Sequence, residues 1–193
     1  MTTGYFAAAS AGVAAGAVVA VVGAGPVGFF CMQAALALGG ARVFGIDPDP
    51  SRRELVAAAG AEPVDPAARH PETVLADATE GRGADIAIDA VGSPAALQRA
   101  VDLVRRGGSV VVVGVYASEL LEIQLGVYWA RALTIRFTGL CPVHAWWQRA
   151  MDEVLAGRLD PEPLISHRLP LEDAVRGYEL FERREATKVV LIP

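Results

Sequence analysis

Val18-Val19-Ala20-Val21-Val22-Gly23-Ala24-Gly25-Pro26-Val27-Gly28 is the stretch whose reading decides the fold. The apolar, β-branched run Val18–Val22 ends at a glycine, which marks a strand buried on both faces of a parallel sheet. The residues after it, 26–38, are apolar on most faces and stop at Gly39-Gly40, as a buried helix does. Between strand and helix stand glycines at positions one, three and six of a hexapeptide. That spacing is weak alone but specific at a strand-to-helix turn. Each glycine has a physical task. Gly23 makes the tight turn, Gly25 leaves backbone open to a pyrophosphate, and Gly28 lets the helix lie close to the sheet. Phosphates would then meet unsatisfied amides at the positive end of the helix. Pro26 suits the first helical turn, where no N–H is needed.

Outward from this turn, strand and helix alternate. Strands are expected at 42–47, 62–64, 85–89, 109–113 and 133–138, with a short final one at 188–192. Helices are expected at 3–15 (leading into the first strand), from Pro50 to Gly60, and at 71–80, 94–105, 144–156 and 171–183, with Gly107-Gly108 closing the 94–105 helix. The crossovers are long enough to hold helices, which requires parallel strands and right-handed connections. The fold class is therefore α/β, a Rossmann doubly wound parallel sheet of about six strands with helices on both faces. One domain spans 1–193, its tail 164–193 expected to return toward a domain outside the chain.

Asp47 stands at the tip of the second strand, about 20 residues beyond Gly28. A carboxylate there can accept hydrogen bonds from both hydroxyls of an adenosine ribose. It also repels a 2′-phosphate, by roughly 4 kcal/mol for unit charges about 4 Å apart at an effective dielectric near 20. NAD is thus expected over NADP, with Arg42, Arg52 and Arg53 taken to lie close enough to offset part of the repulsion.

Bulk properties exclude other classes. The 193 residues can bury roughly 70% of their unfolded surface, so neither metal nor disulfide is needed for folding. A hydrophobic fraction of 53% argues against disorder, and a net charge of −5 against nucleic acid as the main ligand. Met1–Ala41 carries no charge, yet it lacks the basic flank of a signal peptide and is broken at Gly23–Pro26, so no membrane span is expected. Cys31 and Cys141 read as free thiols of a cytoplasmic protein. His70, His144 and His167 are isolated, and no Cys/His pair has metal-ligand spacing, so no zinc is expected in this chain. His144, beside Trp146-Trp147, reads as a helix-surface residue, and Tyr116 and Tyr128 as loop or interface residues.

Thr3-Gly4-Tyr5, the glycine turn, Asp47, Gly60-Ala61, Asp89-Ala90-Val91-Gly92, Gly107-Gly108 with Val113-Gly114-Val115, and Leu164-Ile165-Ser166-His167 through Lys188-Val189-Val190 form an ordered series. It resembles the cofactor half of zinc-type medium-chain alcohol dehydrogenases over nearly the whole chain. The resemblance implies that Thr3 and Val27 flank a nicotinamide ring and that Arg52 lies by the adenosine. It implies that Ala90, Val91, Gly92, Gly114 and Val115 line the cleft, that Thr138 is near the carboxamide, and that Lys188 meets the pyrophosphate. It also implies a homodimer through the edge of the sixth strand.

In that family an N-terminal barrel-like domain supplies the zinc ligands and proton relay, a part that this chain is expected to lack. The chain alone is expected to be a weak or inactive alcohol dehydrogenase, since losing a zinc Lewis acid costs several kcal/mol, roughly a thousandfold or more in rate. Three readings stay open: an excised or truncated dehydrogenase, a shortened zinc-independent reductase or one completed by another polypeptide, and a non-catalytic NAD-binding or redox-sensing module. Catalytic residues and substrate are not readable.

Overall fold

The computed structural model describes residues 1–117 and 120–193. The chain divides into two compact units, Met1–Leu159 and Asp160–Pro193. In the first, the order is α1 (Thr2–Ser10), β1 (Val18–Val22), α2 (Pro26–Ala37), β2 (Arg42–Ile46), α3 (Pro50–Ala58), β3 (Glu62–Val64), α4 (Pro71–Ala78) and β4 (Ala84–Asp89). It continues with α5 (Pro94–Leu103), β5 (Val104–Val112), α6 (Leu125–Ala130), β6 (Thr134–Phe137) and α7 (Val143–Leu155). The six strands form one sheet in the order β3-β2-β1-β4-β5-β6, every neighbouring pair parallel. The chain leaves β1 toward β2 on one side and later enters β4 on the other. That reversal opens a crevice outside the carboxyl ends of β1 and β4.

Both faces of the sheet are covered, which is why all five residues of β1 are buried. On one face Val18, Ala20 and Val22 join Phe44, Ala87 and Val110 against Leu75 of α4 and Leu97 and Val101 of α5. On the other, Met32 of α2 and Val56 of α3 close over β2 so tightly that a Cβ on Gly45 would lie 2.6 Å from each. The packing between α1 and α2 is equally close, and a Cβ on Gly4 would sit 2.6 Å from that of Phe30. Tyr5, Ala34 and Ala150 then tie α7 to this pair.

Several boundaries differ from the sequence reading. α1 ends at Ser10 rather than near Ala15, because the chain turns through Gly12 and Gly16 before β1. α5 stops at Leu103, and Val104 is already extended and paired with Ala84. Gly107-Gly108 is therefore no helix stop. It belongs to an irregular start of β5, where the register shifts between Ala84 and Ile86. A Cβ on Gly108 would fall 2.6 Å from Val104 Cγ2 and 2.9 Å from the Asp85 carbonyl, so only glycine fits. The short α6 lies where no helix was expected. Tyr128 of α6, expected as a loop or interface residue, is instead buried in the core against the sheet and donates its hydroxyl to Gln98 Oε1 at 3.2 Å.

The second unit holds β7 (His167–Pro170), α8 (Ala174–Glu182) and β8 (Val189–Ile192). β7 and β8 pair in parallel, in register from His167 with Val189 to Pro170 with Ile192. The expected tail, 164–193, lies within this unit. Among the described residues no helix is long and apolar enough to cross a membrane.

Candidate functional site

The glycine turn is held open by backbone geometry. Gly23 has φ +92°, a left-handed conformation that side chains resist, and its amide donates to the Ile46 carbonyl at 2.9 Å. A Cβ on Gly28 would lie 1.9 Å from the Gly23 carbonyl oxygen, so the first turn of α2 presses directly on the strand end. Gly25 is the N-cap of α2, with Pro26 following it, and no side chain caps this helix. A Cβ on Gly25 would meet nothing within 4 Å. An uncapped N-terminus facing open space is what an anion needs.

Asp47 is more deeply engaged than its sequence position suggests. It is only 2% exposed. Its Oδ2 accepts from the Ala24 amide at 2.9 Å, and its Oδ1 from the Asp49 amide at 2.9 Å. One carboxylate thus ties the glycine turn to the loop that starts α3. Arg52 reaches it at 3.7 Å from the surface. The other two arginines are occupied. Arg53 donates to the carbonyls of Asp47 and Pro48 and pairs with Asp65 at 2.9 Å. Arg42 sits at the amino end of β2, the far end from Asp47, where it bonds Glu62 through two nitrogens and stacks on Phe44. The expectation that Arg42 lies near Asp47 is therefore wrong: the strand it begins carries it away from the crevice.

Asp89 is a second keystone, at the tip of β4. It is wholly buried. Its Oδ1 accepts from the amides of Val91 and Gly92 at 2.9 and 3.0 Å. The Tyr116 hydroxyl lies 2.8 Å from its Oδ2 and 2.7 Å from the Ser93 carbonyl, sharing its single proton between them. Burial first, then the adjacent Asp89, push the Tyr116 phenol well above its ordinary range. Asp89 thereby joins the loop after β4 to the loop after β5. Those loops also touch through glycine: a Cβ on Gly114 would lie 2.1 Å from the Gly92 amide nitrogen. Neither Asp89 nor Tyr116 was picked as a site residue from sequence. The signal was an acid ending a buried strand, the same pattern that singled out Asp47.

The predicted residues of the first unit gather along this rim. Gly23 to Gly28, Asp47 and Ala90 to Gly92 follow β1, β2 and β4. Val91 packs over Gly23, where its Cγ2 would stand 2.6 Å from an added Cβ. Gly114, Val115 and Tyr116 follow β5 and line a cavity of about 250 Å³ with Phe137 at the end of β6 and Leu140 beyond it. Thr138 is fastened to the end of β5, its amide and hydroxyl donating to the Val112 carbonyl at 3.0 and 3.1 Å. Thr3 opens α1 beside Cys141: burial raises that thiol's pKa, and a hydrogen bond with Thr3 pulls it partly back. Lys188 is exposed and belongs to the second unit, where its carbonyl accepts from the Ser166 amide at 3.0 Å. His70 and His144 are exposed, at the N-cap of α4 and on α7. Among the described residues no group of three or more His, Cys, Asp or Glu could hold a metal ion.

Comparison with known proteins fits this geometry. Residues 26–156 match the family described as zinc-binding dehydrogenase. A probable zinc-binding alcohol dehydrogenase of Mycobacterium tuberculosis is 38% identical over 98% of this chain and 48% of its own length. The structure of an alcohol dehydrogenase from Thermus sp. ATN1 superimposes with a TM-score of 0.92 at 38% identity, over 99% of this chain and 55% of that one. A putative zinc-binding dehydrogenase from Sinorhizobium meliloti, solved bound to NADP, gives a TM-score of 0.85 at 27% identity over 100% and 57%. The chain spans about half the length of the relatives it matches.

Proposed function

The chain belongs to the zinc-binding dehydrogenase family, and from that premise we propose that its first unit binds a nicotinamide dinucleotide for hydride transfer between the nicotinamide and an alcohol or carbonyl substrate. One observation carries the reading: the uncapped start of α2 opens onto space at Gly25, while Gly23 and Gly28 allow no side chain at all. The pyrophosphate sits on the α2 amides, the adenosine ribose by Asp47 and Arg52, and the nicotinamide in the cavity beside Gly114 and Val115, with Val27, Thr3 and Thr138 around it. Ala90, Val91 and Gly92 form the floor between.

The residues of this chain bind, orient and exclude water, and the cofactor supplies the hydride chemistry. Asp89 and Tyr116 hold the two crevice loops at a set spacing, which keeps the ring against one wall. The described residues offer no donor set for zinc, so no step is assigned to a metal. We favour NAD over NADP because the Asp47 charge repels a 2′-phosphate through space even though its oxygens already accept two amides. The nearby Arg52 reduces that preference without abolishing it. The exposed edge strand β6, with Phe137 66% exposed, is the surface proposed for homodimer formation. A cytoplasmic setting, with both thiols reduced, belongs to the same reading.

Calorimetric titration with NAD and NADP tests it. Saturable NAD binding in the micromolar to millimolar range is expected, with NADP weaker and Asp47→Asn narrowing the gap. Absence of saturable binding by either dinucleotide would refute the proposal.

A further inference from the structure

The opposite end of the sheet carries a second cavity, of about 450 Å³, at the amino ends of β1, β4 and β5. Its wall on one side is the turn from Gly12 to Ala17, and on the other the irregular start of β5. Arg82 and Arg105 line it, and the same two line the adjoining surface together with Arg106. Asp85 is the one acid in that lining among the described residues. It is shared: Arg82 pairs with it, Arg105 Nε donates to its Oδ1 at 2.7 Å, and the Val18 amide donates to its Oδ2 at 2.9 Å. Arg106 donates to the Ala130 carbonyl at 2.9 Å.

Charge and donors are both left over. Asp85 neutralises one guanidinium of the three, in a chain whose net charge is −5. Each guanidinium has five N–H donors in a planar fork, and the bonds above use a minority of them. Backbone can approach as well, because a Cβ on Gly12 or Gly16 would meet nothing within 4 Å. A planar fork fits phosphate oxygens two at a time, and several forks around one cavity favour a ligand with more than one anionic group. The crevice cannot account for this feature, since the length of β1, roughly 17 Å for five residues, lies between the two.

We propose that this cavity and the surface adjoining it bind a small anion carrying a diphosphate or longer phosphate chain, held by Arg82 and Arg105 where the two meet and by Arg106 on the adjoining surface. Asp85 keeps two of the guanidiniums side by side when the site is empty and competes with the ligand for them. The site is independent of the dinucleotide crevice and stands whether or not that crevice is occupied.

Two-dimensional amide NMR of the whole chain in 0.15 M salt, titrated with inorganic pyrophosphate and separately with ADP, tests the proposal. Saturable shifts at Gly12, Gly16, Gly107 and Gly108 are expected, apart from any at Gly23–Gly28, which report the crevice. Arg106→Ala should weaken the first set roughly tenfold, the loss of one charge-assisted contact, and leave the second unchanged. Asp85→Asn should tighten it severalfold while lowering the melting temperature, opposite signs that a merely structural role for Asp85 does not produce. Tighter binding of ADP than of pyrophosphate assigns the site to nucleoside diphosphates, and the reverse assigns it to inorganic chains. Shifts confined to Gly23–Gly28, or shifts at the rim indifferent to Arg106→Ala, would overturn the proposal.

Discussion

Replacing Gly25 by alanine separates ligand binding from folding with one methyl group. Gly25 has φ −68° and ψ −177°, extended backbone that any residue adopts, and an added Cβ meets nothing within 4 Å. Two stability terms then oppose each other. Alanine is a poorer N-cap than glycine, by about 0.5–1 kcal/mol. Alanine also narrows the unfolded ensemble, a gain of about 0.4–1 kcal/mol where the native backbone is compatible. The net is within about 0.5 kcal/mol of zero, a shift of only ~1–2 °C in a chain of this size. Binding should respond very differently. The methyl occupies the space through which a phosphate reaches the α2 amides, and hydrogen bonds to a charged group contribute about 1.5–3 kcal/mol each. Losing or stretching one of them weakens NAD about 10- to 100-fold. Thermal melting without ligand and calorimetric titration, done on one preparation, give both numbers. Unchanged NAD affinity would refute the placement of the pyrophosphate. A melting temperature lowered by more than about 5 °C would refute the claim that the space is open.

Gly28→Ala should behave in the opposite way, because its Cβ would stand 1.9 Å from a backbone oxygen. Overpacking of this kind costs about 2–3 kcal/mol, seen as a melting temperature lower by roughly 5–10 °C. Tyr116→Phe removes one partner from the buried Asp89 and should reduce stability by about 1–3 kcal/mol in urea unfolding; no change would mean that water replaces the hydroxyl. Burial raises the Asp85 pKa, but bonds from Arg82, the Val18 amide and Arg105 outweigh it and hold the group at about 2. A folded pKa below the unfolded one contributes stability above the ordinary carboxylate range and loses it as pH falls toward 2. After discounting for the partly exposed arginines this is about 1–2 kcal/mol, so the gap in urea midpoint between the unmutated chain and Asp85→Asn should shrink from pH 5 to pH 3. Burial pushes the Cys31 thiol up to about 12, so in the folded chain a thiol reagent should label Cys141 and spare Cys31, with NAD slowing the reaction beside Thr3.

The glycine turn, the parallel sheet and the acid after β2 were legible because their causes are local. A buried strand must be apolar throughout, and a tight turn into a helix demands glycine at set positions. Asp89 carried the same local signature but was passed over, because its partners come from Val91, Gly92 and the distant Tyr116. Arg42 was misjudged for a related reason. Proximity in sequence to Asp47 suggested proximity in space, but an extended strand moves the chain about 3.3 Å per residue away from the crevice.

From the sequence alone came the order of strands and helices, the turn that can receive a phosphate, and the residues of the first unit that gather at one end of the sheet. Only the tertiary structure decided which polar groups are already used. It showed Asp47 and Asp89 bracing loops as buried acceptors, Gly107-Gly108 as an irregular strand start rather than a helix stop, β8 paired with β7, and two arginines sharing one acid at the far end of the sheet with a third beside them. Periodicity and turn chemistry act between neighbours in the chain, whereas a hydrogen bond or an ion pair is settled by whichever groups folding brings within about 3 Å.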